Sequence, residues 1–458
     1  MKRAFLIFLV LAMLMSFTAC TLDDVMAMIG GSAPQTPTES EPTEPPAAKT
    51  DVPKPYTKAE MEALKVAKPG MTEEELRQIV LDYMRAQCYI VWTPSETFSY
   101  TSQTTFKKLY AGKLFGGMPY ISERQSSLYA FMHFYDERNG MLDMEKLMSY
   151  DQWEGIIANQ CSGATFWAWS RVSESVDFSY CNWILPAQGY IFPEKIHNIL
   201  KDVDKYYYTD PEQSTHTFYD VCEVLGEQAM YEMYKDMEPA DGLVCYTAYK
   251  KETAADGTVT KTPSAAGHVI MCSSVHVEYD ANGNIDGAKS YATILDQTLA
   301  WKTTKLENGV DCDVYPNWDN EFSFHKLYVL GYMPFTLPEF TGADDVELAT
   351  AGVVLNGAVP DNSVSISELK KMNITSNYPI SYYTVSVKDT AGAVLYTENV
   401  YVTAKGDINI KTIERVLNPH TLDEDTLKNL ANGENTVEIT VRVGTGEVLT
   451  AYTGVLDD

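Results

Sequence analysis

Apolar and polar positions follow three successive patterns along this chain. From Thr72 onward, Leu76, Ile79, Val80, Tyr83 and Met84 recur at helical spacing, and Thr72 with Glu75 has the spacing of a capping box. A second amphipathic run carries Phe218, Val221, Cys222, Leu225 and Met233. Short strands are predicted after it, at Leu243 to Tyr249, Val269 to Val277, Tyr291 to Leu295 and Phe324 to Leu330. Helices followed by an antiparallel sheet predict an α+β fold rather than alternating βαβ units. From about residue 340, Val437, Ile439, Val441 and Val443 alternate with polar neighbours, and Gly444-Thr445-Gly446 turns the chain into Val448 to Leu456. A similar pair, Tyr383 to Lys388 and Ala393 to Thr403, is joined through Asp389-Thr390-Ala391-Gly392. Such short strands with Gly turns predict a β-sandwich of roughly a hundred residues. No internal repeat stands out.

The first residues form a separate pattern. Lys2 and Arg3 precede an apolar run from Ala4 to Met15, too short for a comfortable bilayer span and of the form of an export signal. It leads to Phe17-Thr18-Ala19-Cys20, which resembles the lipobox of bacterial lipoproteins, with Phe17 where Leu is usual. That resemblance implies a signal peptide over 1–19, lipidation of Cys20 and attachment to the extracytoplasmic side of a bacterial membrane. Residues 20–55 are rich in Pro, Thr and Glu, a composition that predicts a disordered tether. The remainder divides at 56–338 and 339–458.

Composition narrows the partners. With 458 residues, 45% hydrophobic, the chain is long enough for two folded parts. Its 35 Lys+Arg against 63 Asp+Glu give a net charge of −28, which argues against nucleic acid as a partner.

The chemistry rests on cysteine. Of eight cysteines, Cys222, Cys245 and Cys272 lie in apolar runs and are expected to pack as small hydrophobes. Setting Cys20 aside leaves an odd number, so at least one thiol is free or pairs outside the chain. Cys161 sits in Asn159-Gln160-Cys161-Ser162-Gly163-Ala164-Thr165, a polar lead-in to a predicted helix. A helix N-terminus favours thiolate over thiol, and its unpaired N–H groups can face a developing oxyanion. His268, opening the strand Gly267-His268-Val269-Ile270-Met271, is the best-placed base.

Four short motifs then resemble the NlpC/P60 family of cell-wall cysteine peptidases, in the family's order. Gly117-Met118-Pro119-Tyr120 looks like its Gly-x-Pro-Tyr element and Cys161-Ser162-Gly163 like its nucleophile core. Pro239-Ala240-Asp241-Gly242-Leu243-Val244 approximates Pro-Gly-Asp-Leu-Val, and Gly267-His268-Val269 matches the base. The resemblance spans about 70–335 and implies a papain-like fold, followed here by an Ig-like β-sandwich. It implies Cys161 as nucleophile, His268 as base, and Asp296 (or Gln297) as the group orienting the imidazole. Tyr120, Gln160 and Ser162 are then expected near the oxyanion and substrate. Gln160, where Asp is common, is closer to the related CHAP amidases. The long gap from Tyr120 to Cys161 and the longer one to His268 imply insertions, one of them a hairpin over Tyr249 to Thr262 around Asp256-Gly257. The implied substrate is an amide bond of peptidoglycan stem peptides, with no cofactor. Two other functions fit the same residues: a non-catalytic surface lipoprotein binding wall or glycan ligands, and an acyl-transferring enzyme.

Other groupings are read as structural. His268, Cys272 and His276 recur every fourth residue, but strand positions so spaced are about 13 Å apart, too far for one metal ion. Asp280 to Asp286 lacks the glycine and glutamate of a calcium loop, so Asn282-Gly283 is expected to be a hairpin turn. Trp153, Trp167 and Trp169 are expected to be core rather than sugar platforms.

Overall fold

A computed structural model describes residues 56–102, 105–121, 125–136, 141–142, 158–176, 181, 184–200, 218–253, 259–298, 302–306, 309–314, 317–341, 348–356, 362–402, 412–413 and 423–457. The expected signal peptide, Cys20, the tether and Trp153 lie outside these residues. Among the described residues no helix is long and apolar enough to cross a membrane.

The architecture is α+β. Helix α1 (Glu73–Tyr89) opens on the capping box read from the sequence: the Thr72 hydroxyl accepts from Glu75 N–H, and the Glu75 carboxylate accepts from Thr72 N–H. Its apolar face, including Ile79, Val80, Tyr83 and Met84, is buried. Helix α2 (Cys161–Trp169) is buried on all sides, so it shows no amphipathic stripe. The amphipathic run after Phe218 forms two helices rather than one, α3 (Phe218–Leu225) and α4 (Glu227–Lys235). Gly226 breaks it, with φ at +81° in the left-handed range that L side chains avoid.

These helices pack on a five-stranded sheet of β1 (Gly242–Thr253), β2 (Val259–His276), β3 (Tyr291–Asp296), β4 (Asn317–Ser323) and β5 (Met333–Phe335), in the order β4-β3-β2-β1-β5. All its neighbours are antiparallel. Pairing of β1 with β2 runs out to Thr253 opposite Val259, which makes the expected hairpin extension; its tip, Asp256-Gly257, lies outside the described residues. Phe324 to Leu330, expected as a strand, is instead the short helix α5 (Phe324–Val329). Ser323 caps it by accepting from Lys326 N–H, and Phe324 and Leu327, three apart, are both buried. A second sheet of short strands joins Val91–Pro94 and Phe115–Gly116 to Asp311–Val314 in mixed directions, so strands lie between α1 and α2 as well as after α4.

Asp280 and Asn284 close the expected turn at Asn282-Gly283. The Asp280 carboxylate accepts from the N–H groups of Asn282 and Asn284, and Gly283 has φ at +84°. Trp167 and Trp169 are core: both are buried, and their indole N–H groups donate to the carbonyls of Gln125 and Ala240.

The C-terminal part holds β6 (Ser363–Ser365), β7 (Ile380–Lys388), β8 (Val394–Tyr401), β9 (Thr436–Val443) and β10 (Val448–Asp457), ordered β6-β10-β9-β7-β8. Val437, Ile439, Val441 and Val443 point into its core, as their alternation predicts. A smaller three-stranded sheet shares that core through Ile374. The two parts are tightly docked. Arg442 stacks 3.7 Å from the Tyr129 ring centroid and bonds Glu62 at 2.9 Å, His133 Nδ1 lies 2.8 Å from the Tyr401 hydroxyl, and Ser127 and Ser381 hydroxyls are hydrogen-bonded.

Candidate functional site

The lead-in to Cys161 is held by a chain of amide contacts. Gln87, on α1, donates from Nε2 to Ala164 O and accepts from Asn159 Nδ2. The other end of that Asn159 side chain accepts from Gln160 N–H at 2.9 Å. Gly163 is required at its place, because a Cβ there would stand 2.1 Å from Asn159 Oδ1. Cys-Ser-Gly is thus a packing solution as well as a motif: the glycine lets the asparagine amide lie flat against the first turn.

That turn starts at Cys161. Its N-cap, Gln160, makes no side-chain capping bond, so the first N–H groups of α2 are left to other acceptors. The side-chain Nε2 of Gln160 is buried with no hydrogen-bond partner among the described residues. Tyr120 lies beside this lead-in, through a parallel bridge to Asn159 in which Asn159 N–H donates to Pro119 O and Ile121 N–H to Asn159 O. The long insertion between Tyr120 and Cys161 therefore leaves from and returns to one place. Ser162 sits buried in the first turn.

Sheet strands bring the other groups. Met271 on β2 pairs with Leu295 on β3, which puts Asp296 diagonally across from His268 on the same face. His268 Nε2 lies 2.8 Å from Asp296 Oδ2, and both side chains are 1% exposed. Gln297 is turned away and donates to Met118 O. Asp296, rather than Gln297, is thus the residue on the imidazole. With Nε2 engaged, Nδ1 is the ring nitrogen left over, buried and with no hydrogen-bond partner among the described residues, while the charge of the ring acts on the Cys161 thiol.

Cys161 is held well below the ordinary thiol range. A hydrogen bond from the Cys181 thiol has the largest effect, followed by the charge and hydrogen bond of His268 and a bond from Val269 N–H, all against the opposing effect of burial. Burial alone would push the His268 ring down, yet the Cys161 thiolate and the Asp296 carboxylate raise it to about 10. The two shifts are one thiolate–imidazolium pair seen from its two ends. The other cysteines behave as packing: burial pushes the thiols of Cys88, Cys222 and Cys272 up. None of the seven described cysteines is in a disulfide, and all are buried.

Cys181 was not singled out by spacing or motif. It stands against β2 at Gly267, where an added Cβ would meet its Cβ at 2.7 Å and its sulfur at 3.2 Å. The glycine before His268 was the only signal, since it marks a place where another chain segment approaches the backbone closely.

The pair has a definite pH signature. The depressed thiol stays charged as pH falls until its own pKa is reached, and the raised imidazole stays charged as pH rises until about 10. Alkylation of Cys161 by iodoacetamide is therefore expected to be nearly flat across neutral pH and to outpace Cys222. Peptide mass mapping at a series of pH values checks this; a rate climbing with pH as for an ordinary thiol would remove the ion pair.

No protein-family model matches the chain, and no curated protein is significantly similar to it.

Proposed function

We propose that this chain is an exported, lipid-anchored cysteine hydrolase of the NlpC/P60 type, papain-like in its first part and with an Ig-like β-sandwich after it. Its substrate is an amide bond of peptidoglycan stem peptides. One observation carries the reading: His268 is hydrogen-bonded to Asp296 and its charge bears on Cys161, which stands at the first turn of a helix. Nucleophile, base and orienting carboxylate come from three separate elements, the arrangement acyl transfer needs.

In this mechanism the Cys161 thiolate attacks the amide carbonyl carbon. The oxyanion is received by N–H groups at the start of α2, with the Gln160 side-chain amide as a further donor. His268 gives its proton to the leaving amine, and Asp296 keeps the ring in place through Nε2. Water, deprotonated by His268, then hydrolyses the thioester.

The test is digestion of purified peptidoglycan by the full chain, with muropeptides identified by mass. New stem-peptide fragments are expected from the wild type and none from Cys161→Ala; their absence across several wall chemistries would sink the proposal.

One observation favours a second reading, a non-catalytic surface lipoprotein that binds wall or glycan ligands: Cys161 and His268 are each only 1% exposed. On that reading Cys161→Ala leaves ligand capture unchanged and the wild type releases no fragments.

A further inference from the structure

Two irregularities flank the strand that carries Asp296. On one side, β2 pairs Cys272 with Ile294 but Ser274 with Thr293, so Ser273 is one residue too many. On the other side, β4 pairs Asn317 with Asp296 but Asn320 with Ile294, so Trp318 and Asp319 together stand opposite Leu295. Both bulges fall between Thr293 and Asp296, and they are bonded to each other. The Ser273 hydroxyl lies 3.0 Å from Asp319 Oδ1 and 3.2 Å from Thr293 O. The Tyr89 hydroxyl, at the end of α1, donates to Asp319 Oδ2. Asp319 itself is held at φ +43°, in the left-handed region that few side chains besides aspartate and asparagine tolerate.

The bulge on β2 decides which side chain reaches the imidazole. Side chains alternate along a strand, so one extra residue moves everything beyond it to the other face. On the far side of the bulge, Val275 pairs with Ala292 and His276 with Tyr291. Continued unbroken, that register would set Met271 opposite Asp296 and Ile270 opposite Gln297. His268 shares a face with Ile270, so Gln297 would then be the residue across from the ring and Asp296 would point the other way. With Ser273 bulged, Met271 pairs with Leu295 instead, and Asp296 lies 2.8 Å from His268 Nε2.

We propose that Asp319 is a positioning residue of the candidate site: by holding Ser273 in the bulge, it selects the register that sets Asp296, and not Gln297, on His268. The sheet order explains why one carboxylate can do this. Strands β4 and β2 are not neighbours; β3 lies between them. A bond from Asp319 to Ser273 therefore spans β3 and ties both of its partners to one register. Slipping either strand by a residue parts the two side chains or turns one of them to the opposite face. Tyr89 anchors the same carboxylate to α1, so the bulges are also fixed against a helix. The inference rests on the His268–Asp296 contact used in the proposed function, but on no property of the substrate.

The experiment uses the full chain in detergent with isotope-labelled histidine, read by NMR, and with Cys161 alkylation by iodoacetamide measured in parallel. Wild type is expected to show a downfield ring N–H proton from His268 on Asp296, identified by its loss in His268→Ala. Asp319→Gly allows the left-handed backbone but has no carboxylate. In it that signal is lost and Cys161 alkylation at neutral pH falls about tenfold, with Cys222 unchanged. Asp319→Asn keeps both, because asparagine tolerates the same φ and its side-chain oxygen still accepts from Ser273. Far-UV circular dichroism shows whether the variants fold. If Asp319→Gly does not, Ser273→Ala removes the other end of the bond and is expected to give the same two losses.

A folded Asp319→Gly or Ser273→Ala with the wild-type signal and alkylation rate would overturn the proposal. So would Asp319→Asn as impaired as Asp319→Gly, which would make the charge and not the bulge responsible. No downfield signal in the wild type refutes this proposal and the catalytic pairing together. The signal, sensitive to Asp319 but without wall hydrolysis, refutes the peptidase reading alone. Wall hydrolysis with a signal indifferent to Asp319 refutes this one alone.

Discussion

His268→Ala is expected to slow amide hydrolysis on the order of 10³- to 10⁴-fold, mostly in kcat. Two contributions are removed together. The leaving amine loses its proton donor, and the Cys161 sulfur loses the imidazolium whose charge and hydrogen bond favour thiolate. The second loss has its own readout: the onset of Cys161 alkylation should move to higher pH, while the bond from Cys181 keeps part of the depression. Asp296→Asn should be milder, since an amide oxygen can still accept from Nε2, and Asp296→Ala should fall between the two. Steady-state kinetics on a stem peptide, with alkylation followed in parallel, checks the order. A His268→Ala enzyme within about tenfold of wild type would end its role as base.

Arg77→Ala is expected to cost about 3–5 kcal/mol of stability, the usual consequence of stranding a buried charge. Arg77 is nearly buried and bonds Asp241 Oδ1 at 2.8 Å, Glu73 at 2.7 Å and Glu238 at 3.1 Å. The same guanidinium donates to Pro239 O and Phe340 O and stacks 4.4 Å from the Phe340 ring centroid. Asp241 meanwhile accepts from Glu238 N–H and the Thr336 hydroxyl, just where the chain enters β1. Removing the arginine leaves the carboxylate with neutral partners only. A fall in Tm on the order of 10 °C is expected, and Arg77→Met with Asp241→Asn should recover part of it, because no unpaired charge then remains. Thermal unfolding of the single and double variants measures both. A single variant as stable as wild type would mean that solvent reaches the carboxylate freely.

The same Asp241 illustrates what was legible in the sequence. It belongs to a motif that pointed to the base strand, yet its own work is structural. The capping box at Thr72, the alternation in β9 and the Asn282-Gly283 turn were readable because each depends on neighbours within a few residues. Cys161 and His268 could be named from local signals, a helix start and a strand start. Their meeting could not, since it depends on the pairing of β2 with β3 and on α2 packing across them. The choice between Asp296 and Gln297 likewise turns on strand parity at the end of β3. Phe324 to Leu330 misled because a short apolar run has no period of its own, and the serine before it decided the matter. Cys181 was illegible for a different reason: its importance comes wholly from what it touches.

The docking of the C-terminal part has a thermodynamic consequence. Tyr382 and Tyr401, from β7 and β8, belong to the apolar cluster of the first part, and Arg442 of β9 lies on Tyr129. The place where composition changes, near residue 338, is therefore not a place where free energy divides. Loosening the C-terminal sheet uncovers Tyr129, which belongs to the same cluster as helix α2. Cooperativity thus runs across the boundary, and whatever the C-terminal strands grip is held in a fixed frame with respect to the sulfur at the start of α2.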